Sequence, residues 1–347
     1  MPGWSASSTP SPTPAGSAGT SLPAGYSSSS SAEGSGCSRS IDIPRAYPGP
    51  AHGKRGCYEA HMSEELACLD GSTALAAETT IPVTDEGFLR GDGAFEVIRV
   101  YDGQPFALDE HLERMERSAA NLRLPGPFPR EAYEREIPAL LDVRGGAGFD
   151  GCLRLVLTRE GRRLAITEQA KLMEERVRLG LVTYAPTRVL DGVKSLSYAA
   201  NVLCSRLARE RGFDEALLVT PHGRVLEGPT SSLFWVDDSG ALCTPPLEDH
   251  ILASITRAHV MGLVEVTERP VAADELLGAR EAFMASTVRE VQSVAAIEDR
   301  QFPETGEVTH KVGAAFSAHL DEVLGRRGGA QPQRSGELPG EHPTETR

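Results

Sequence analysis

The chain has 347 residues, 35 of them basic and 49 acidic, giving a formal net charge of −14 with no basic patch, which argues against nucleic acid or an anionic membrane surface as partner. No apolar run approaches the roughly 18 residues that would span a bilayer. The cysteines at 37, 57, 68, 152, 204 and 243 lack C-x-x-C spacing, so neither a metal site nor a disulfide framework is expected, and the composition fits a cytoplasmic enzyme with small-molecule partners.

Residues 1–61 are dominated by Ser, Pro, Gly, Ala and Thr, including the run "YSSSSSAEGSG". Such a segment cannot bury enough apolar area to offset its ordering entropy, and disorder is expected. It has no apolar core behind a basic start, so it is not a secretory signal. Ordinary globular composition begins at "MSEELACLDG", and a start of translation at Met62 is the expectation that follows. A second disordered tail is expected over 326–347. The roughly 265 residues between suffice for two modest domains, expected at 63–186 and 190–325.

In the first of these, "AFEVIRVY" (94–101) reads as a strand, Asp102-Gly103 as a hairpin turn and "QPFAL" as its partner. Asp109 is the expected cap of a helix whose buried stripe is Leu112, Met115, Ala119 and Leu122. A second helix near 130–143 leads to strands at "CLRLVLTRE" and "RVRLGLVTYAP". Pro186 and "TRVLDG" mark a crossing between domains. Beyond it, Ala199, Val202, Leu203 and Leu207 form the expected buried stripe of a helix stopped at Gly212. The strands "EALLV", "GRVLE" and "SLFWV" follow, then the turn "DDSG", "ALCTP", a helix from about Ser254, and strand-like "VEVTERPV" and "EAFMAST". This is a mixed α/β chain with a β-rich second half.

Only four lysines occur, Lys54, Lys171, Lys194 and Lys311, so arginine fills nearly every other basic position. Lysine alone of the two loses its proton near neutral pH and attacks a carbonyl as an amine. Lys194 in "GVKSLSYAANVL" sits between the domain crossing and a helix, where it can reach a cleft. Glu227 follows at a strand end, before Gly228-Pro229, small residues that permit close approach to the backbone. Ser254 and Thr256 open a helix whose free N–H groups suit an anion, Ser286 and Thr287 end a strand, and Arg114 can pair with the same anion. An amine nucleophile, a lone carboxylate and several phosphate donors are the parts needed to hold pyridoxal phosphate.

With these blocks in this order, the sequence over about 66–305 resembles the class IV, fold-type IV, pyridoxal-phosphate aminotransferases, which include branched-chain and D-amino acid aminotransferases and 4-amino-4-deoxychorismate lyases. The resemblance is carried by "GDGAFEVIRVYDGQPFALDEHLERMERSAANLRL", "KSLSYAANVLCSRLARERGFDEALLV", "GRVLEGPTSSLFWV", "TPPLEDHILASITR" and "EAFMASTVREVQSV". It implies an α/β (α+β) fold of two domains, a small α/β one and a larger β-rich pseudo-barrel, and a homodimer. It also implies that Lys194 is the Schiff-base lysine, Glu227 the carboxylate facing the pyridine nitrogen and Tyr198 a neighbour of the phenolic oxygen. Arg114, Ile255, Thr256, Ser286 and Thr287 would contact phosphate. Phe95, Arg90, Arg154, Arg159, Thr287 and Val288 would line the substrate side.

Departures from the family pattern bear on the substrate. "EGPTSSLF" stands where branched-chain enzymes tend to read "EGxGENxF", so Ser231 and Ser232 replace a Glu-Asn pair, and Arg90 replaces a usual tyrosine. Arg154 matches the branched-chain arginine and Arg159 that of the D-amino acid and lyase branches, so the two signals compete, while Tyr198 favours the branched-chain type. The expectation is transamination of a branched-chain amino acid with 2-oxoglutarate. The alternatives are the lyase, a D-amino acid aminotransferase, and a cofactor-binding protein without activity.

Overall fold

The computed structural model describes residues 65–302 and 304–326. The segment 1–61, the start at Met62 and the tail past 326 lie outside the described residues.

Six strands form the first sheet: β1 (Leu66–Leu69), β2 (Ser72–Leu75), β3 (Gly93–Tyr101), β4 (Gln104–Pro105), β5 (Gly151–Thr158) and β6 (Arg163–Gln169). They run antiparallel in the order β2-β1-β6-β5-β3-β4. Short helix α1 (Glu86–Arg90) precedes β3, and α2 (Leu108–Asn121) and α3 (Arg130–Arg144) separate β4 from β5. The sheet's two faces differ because side chains alternate along each strand. One face carries Ala94, Ile98, Val100, Leu153 and Leu155, which pack on Leu112 and Met115 of α2 and on Tyr133 and Ile137 of α3. The opposite face, with Val97, Arg154, Val156 and Ile166, is only half-buried.

Asp102 and Gly103 both adopt positive φ (48° and 76°), as a tight two-residue hairpin turn requires. Its partner is shorter than expected: β4 stops at Pro105, which has no N–H to extend the ladder. Nor does Asp109 cap α2. The cap position is Ala107, at φ 54°, and Asp109 lies in the first turn, where it suits the helix dipole and pairs with Arg130 at 3.0 Å.

The second, eight-stranded sheet contains β7 (Arg176–Thr183), β8 (Glu215–Val219), β9 (Ser232–Val236), β10 (Leu242–Thr244), β11 (Thr267–Glu268), β12 (Glu281–Ser286), β13 (Glu290–Ile297) and β14 (Arg300–Gln301). Helix α4 (Ala199–Glu210) is the crossover that lets β7 and β8 run parallel. Helices α5 (Ile255–Leu263), α6 (Ala273–Leu276) and α7 (Glu307–Val323) complete it. Strands β9 and β12 are covered on both faces, which explains their unbroken apolar runs. Trp235 and Met284 enter one core, and Phe234 and Phe283, stacked at 4.8 Å, enter another together with Val260 of α5 and Phe316 of α7.

Two expectations for this half are corrected. The segment "GRVLE" follows β8 through the bonds Leu226 N–H to Leu218 O and Leu218 N–H to Glu227 O, yet forms bridges and no strand of its own. In α4 the buried face is Cys204, Ser205 and Ala208, packed with Val182, Ala216 and Leu218. Small side chains let the helix lie close to the strands, and the larger Val202, Leu203 and Leu207 are turned outward at 39%, 52% and 40% exposure.

Candidate active site

Lys194 lies in the crossover between β7 and α4, where the chain crosses to the start of β3 and joins it by hydrogen bonds. Phe95 N–H donates to Lys194 O at 3.0 Å and Leu196 N–H to Gly93 O at 2.9 Å. That approach requires glycine at 93, since a Cβ there would come within 2.5 Å of Leu157 O and 2.7 Å of Leu196 Cδ1. The result places the Lys194 Nζ 4.6 Å from the Phe95 ring centre, with the Tyr198 ring edge-on to Phe95 at 5.3 Å and the Arg154 guanidinium 5.8 Å away. The Tyr198 hydroxyl and the Asn201 amide both donate to Pro229 O, binding this crossover to the loop after Glu227.

Loss of hydration and the nearby Arg114 charge bring the Lys194 ammonium down to about 8, against partial support from Glu96 and Glu227. Burial raises Glu227 to about 7, opposed by the Leu252 N–H, which donates to it at 3.0 Å, and by Lys194. Arg114 is held in place by an acid: its Nε and Nη2 donate to the two oxygens of Glu96 at 2.7 and 2.6 Å, and its Nη1 donates to Ala253 O at 3.0 Å. Burial works against the Glu96 charge, but Arg114 and the His111 ring nitrogen, 2.8 Å away, outweigh it and lower its carboxyl to about 2.

Next to Ala253, α5 begins. Ser254 caps it by accepting from Arg257 N–H, Ile255 and Thr256 are buried, and the first N–H groups of a helix have no partner within it. Ser286, Thr287 and Val288 are half-buried at the turn from β12 to β13. Since Ala285 pairs with Ser232, this turn and the 227–231 loop share one end of the sheet.

The amino-transferase class IV family profile matches residues 93–297. The chain belongs to the class IV aminotransferases. It is 34% identical over 273 residues to a putative branched-chain-amino-acid aminotransferase of Methanocaldococcus jannaschii (72% of this chain, 94% of that one). To the D-alanine aminotransferase of Bacillus licheniformis it is 33% identical (66% and 87%), and to the aminodeoxychorismate lyase of Bacillus subtilis 28% (71% and 91%). A fold IV-transaminase from Curtobacterium pusillum superposes with a TM-score of 0.67 at 31% identity, covering 75% of this chain and 99% of that one.

Class IV aminotransferases use pyridoxal phosphate, and the residues here fit it. Lys194 offers an amine that deprotonates close to neutrality, Glu227 is a desolvated acid suited to a protonated ring nitrogen, and the first amides of α5, with Arg114 bonded to Ala253 O beside them, would suit an anionic group. The hydroxyls of Ser231 and Ser232 are buried without a hydrogen-bond partner. The close approach permitted at Gly228 is used by the protein's own Met284 and Ser231, each of which a Cβ would meet at 2.8 Å.

Not every sequence candidate joins this cluster in the same way. Arg90 is two-thirds exposed and paired with Glu86, and Arg159 sits 3.5 Å from Asp92 with nearly half its side chain in solvent. Arg154 alone of the three influences Lys194 and reaches Phe95. Glu96 and His111 escaped the sequence reading, although a signal existed: Glu96 is in phase with Ala94, Ile98 and Val100, the inward positions of β3, and an acid there needs a buried cation. Among the described residues no helix is long and apolar enough to cross a membrane.

Proposed function

We propose that this enzyme transaminates a branched-chain amino acid with 2-oxoglutarate. The observation that carries this reading is the placement of Lys194 against Phe95 on the half-open, largely apolar face of the first sheet, with Arg154 on that face and Arg159 drawn to Asp92. When bound, pyridoxal phosphate supplies an electron sink that stabilises negative charge at the substrate Cα. Lys194 would hold the cofactor between turnovers and, once displaced by the incoming amine, carry the proton from Cα. Glu227 would hold the proton at the ring nitrogen. Arg114, Ile255, Thr256, Ser286 and Thr287 would hold the phosphate, Tyr198 would lie by the phenolic oxygen, and Phe95 and Val288 would bound the substrate. The buried cysteines 68, 152, 204 and 243 are unpaired, which supports a reducing, cytoplasmic setting, and a homodimer completes the reading.

The test is a single-turnover panel in which cofactor-loaded protein is mixed separately with L-Leu, L-Val, L-Glu, D-Ala and aminodeoxychorismate, following the cofactor's visible absorption and the products. Conversion of L-Leu and L-Val to keto acids is expected. Release of pyruvate from aminodeoxychorismate alone would replace the reading with the lyase, and reaction of D-Ala alone with the D-amino acid enzyme.

A further inference from the structure

An aminotransferase of the proposed kind must admit an apolar side chain in one half-reaction and an acidic one in the other, in the same pocket. A fixed, unpaired arginine would favour the acid and penalise the apolar group, because a charge facing an apolar side chain loses hydration without compensation. Arg154 is not unpaired. Its Nη2 donates to Glu168 Oε2 at 3.0 Å and its Nε to Oε1, a two-pronged pair between adjacent strands. Arg154 lies opposite Ile166 and Cys152 opposite Glu168, so the two charges are diagonal neighbours on the face that also carries Phe95, Val97 and Val156.

Burial separates this pair from the other one near the site. In the Arg114–Glu96 pair the side chains are 6% and 0% exposed, whereas in the Arg154–Glu168 pair they are 34% and 27% exposed. Breaking the first strands a charge in the core, and separating the second exposes two groups that water can solvate. We infer that Glu168 is a specificity-determining positioning residue: it neutralises Arg154 while an apolar side chain occupies the pocket, and it yields Arg154 to the distal carboxylate of a dicarboxylic substrate. This rests on the proposed transaminase reading for the identity of the two substrates, but the exchange of carboxylates is a binding property that can be measured without turnover.

The full chain loaded with pyridoxal phosphate is titrated calorimetrically with glutarate and with 4-methylpentanoate, unreactive carboxylates with the skeletons of 2-oxoglutarate and leucine. Wild type, Glu168→Gln and Glu168→Asp are compared. In Glu168→Gln the affinity ratio of glutarate to 4-methylpentanoate is expected to rise about tenfold, with glutarate tightening and 4-methylpentanoate weakening, and Glu168→Asp should stay near wild type. Opposite signs for two ligands are not what a merely structural lesion gives. A ratio that stays within about twofold, or a parallel loss for both ligands, overturns the inference. If the ratio shifts as expected while the wild type converts neither L-Leu nor L-Glu, the transaminase reading falls and the sorting role stands. With normal turnover and an unmoved ratio, only the role of Glu168 falls.

Discussion

Lys194 and Glu227 are each held where their ionised forms are disfavoured, and the cost should be visible in the protein without cofactor. Below pH 8 the lysine is protonated in both folded and unfolded chains, so the folded state bears the full desolvation cost. Between about 8 and 10.5 the unfolded chain binds a proton that the folded one does not, and stability rises with pH. Lys194→Met should therefore raise the urea midpoint at pH 7, by an amount that shrinks as the pH approaches 10.5, while abolishing turnover. A lower midpoint at pH 7 would contradict the placement. Glu227 has the opposite slope: its carboxyl is raised from 4.5 to about 7, so the folded state holds an extra proton between these values and loses that advantage as pH rises through 7. Glu227→Gln should be more stable than wild type at pH 8 and no more stable near pH 4.5, read as the difference in apoprotein melting temperature. The loaded variant should lose roughly 10²–10⁴-fold in kcat, the usual scale for removing a positioned proton partner.

At the level of elements, β3 serves both its faces. Phe95 lies by the lysine, and one residue on, Glu96 points inward to fix Arg114 on α2, which in turn meets Ala253, the residue before the α5 cap. Removing the acid strands a buried guanidinium, so Glu96→Ala should cost about 3–5 kcal/mol in urea unfolding. The isosteric Glu96→Gln should keep the fold and weaken cofactor affinity about tenfold, measured by equilibrium dialysis; unchanged affinity would show that Arg114 does not need its partner for the phosphate. This element also shows what could be read from sequence. The strand "AFEVIRVY", rich in β-branched and aromatic residues, and the Asp102-Gly103 turn were legible because they are local, as was the start of α5 at Ser254. Strands β1, β2, β6, β13 and β14 escaped the sequence reading: β1, β2 and β14 are only two to four residues long, and neither "RLAITEQ" of β6 nor "EVQSVAAI" of β13 alternates regularly between apolar and polar. The α4 stripe was misjudged for a different reason: hydrophobicity ranks Leu203 above Ala208, but close packing against β7 and β8 selects the smaller residue.

For the whole molecule, that misjudged stripe has a use. Val202, Leu203 and Leu207 fall on one side of α4, and each is at least 39% exposed although α4 follows directly on the Lys194 crossover. Three large aliphatic side chains on one helix make a patch that a self-associating chain can bury within an interface of roughly 800 Å² per partner. The wild type should accordingly sediment at twice the chain mass at micromolar concentration. Leu203→Glu combined with Leu207→Glu should give a monomer with an unchanged far-ultraviolet circular dichroism spectrum, since neither side chain supports the core of its own subunit. Two carboxylates in an apolar contact would leave both charges without hydration or partner, more than an interface of that size can offset. A wild type that sediments as a monomer, or a double variant that remains dimeric, would place the subunit contact on another face or remove it. Activity of the double variant then separates two roles for the contact: retained turnover means that each subunit builds its own site, and lost turnover in a folded monomer means that the Lys194 crossover depends on the neighbouring subunit for its order.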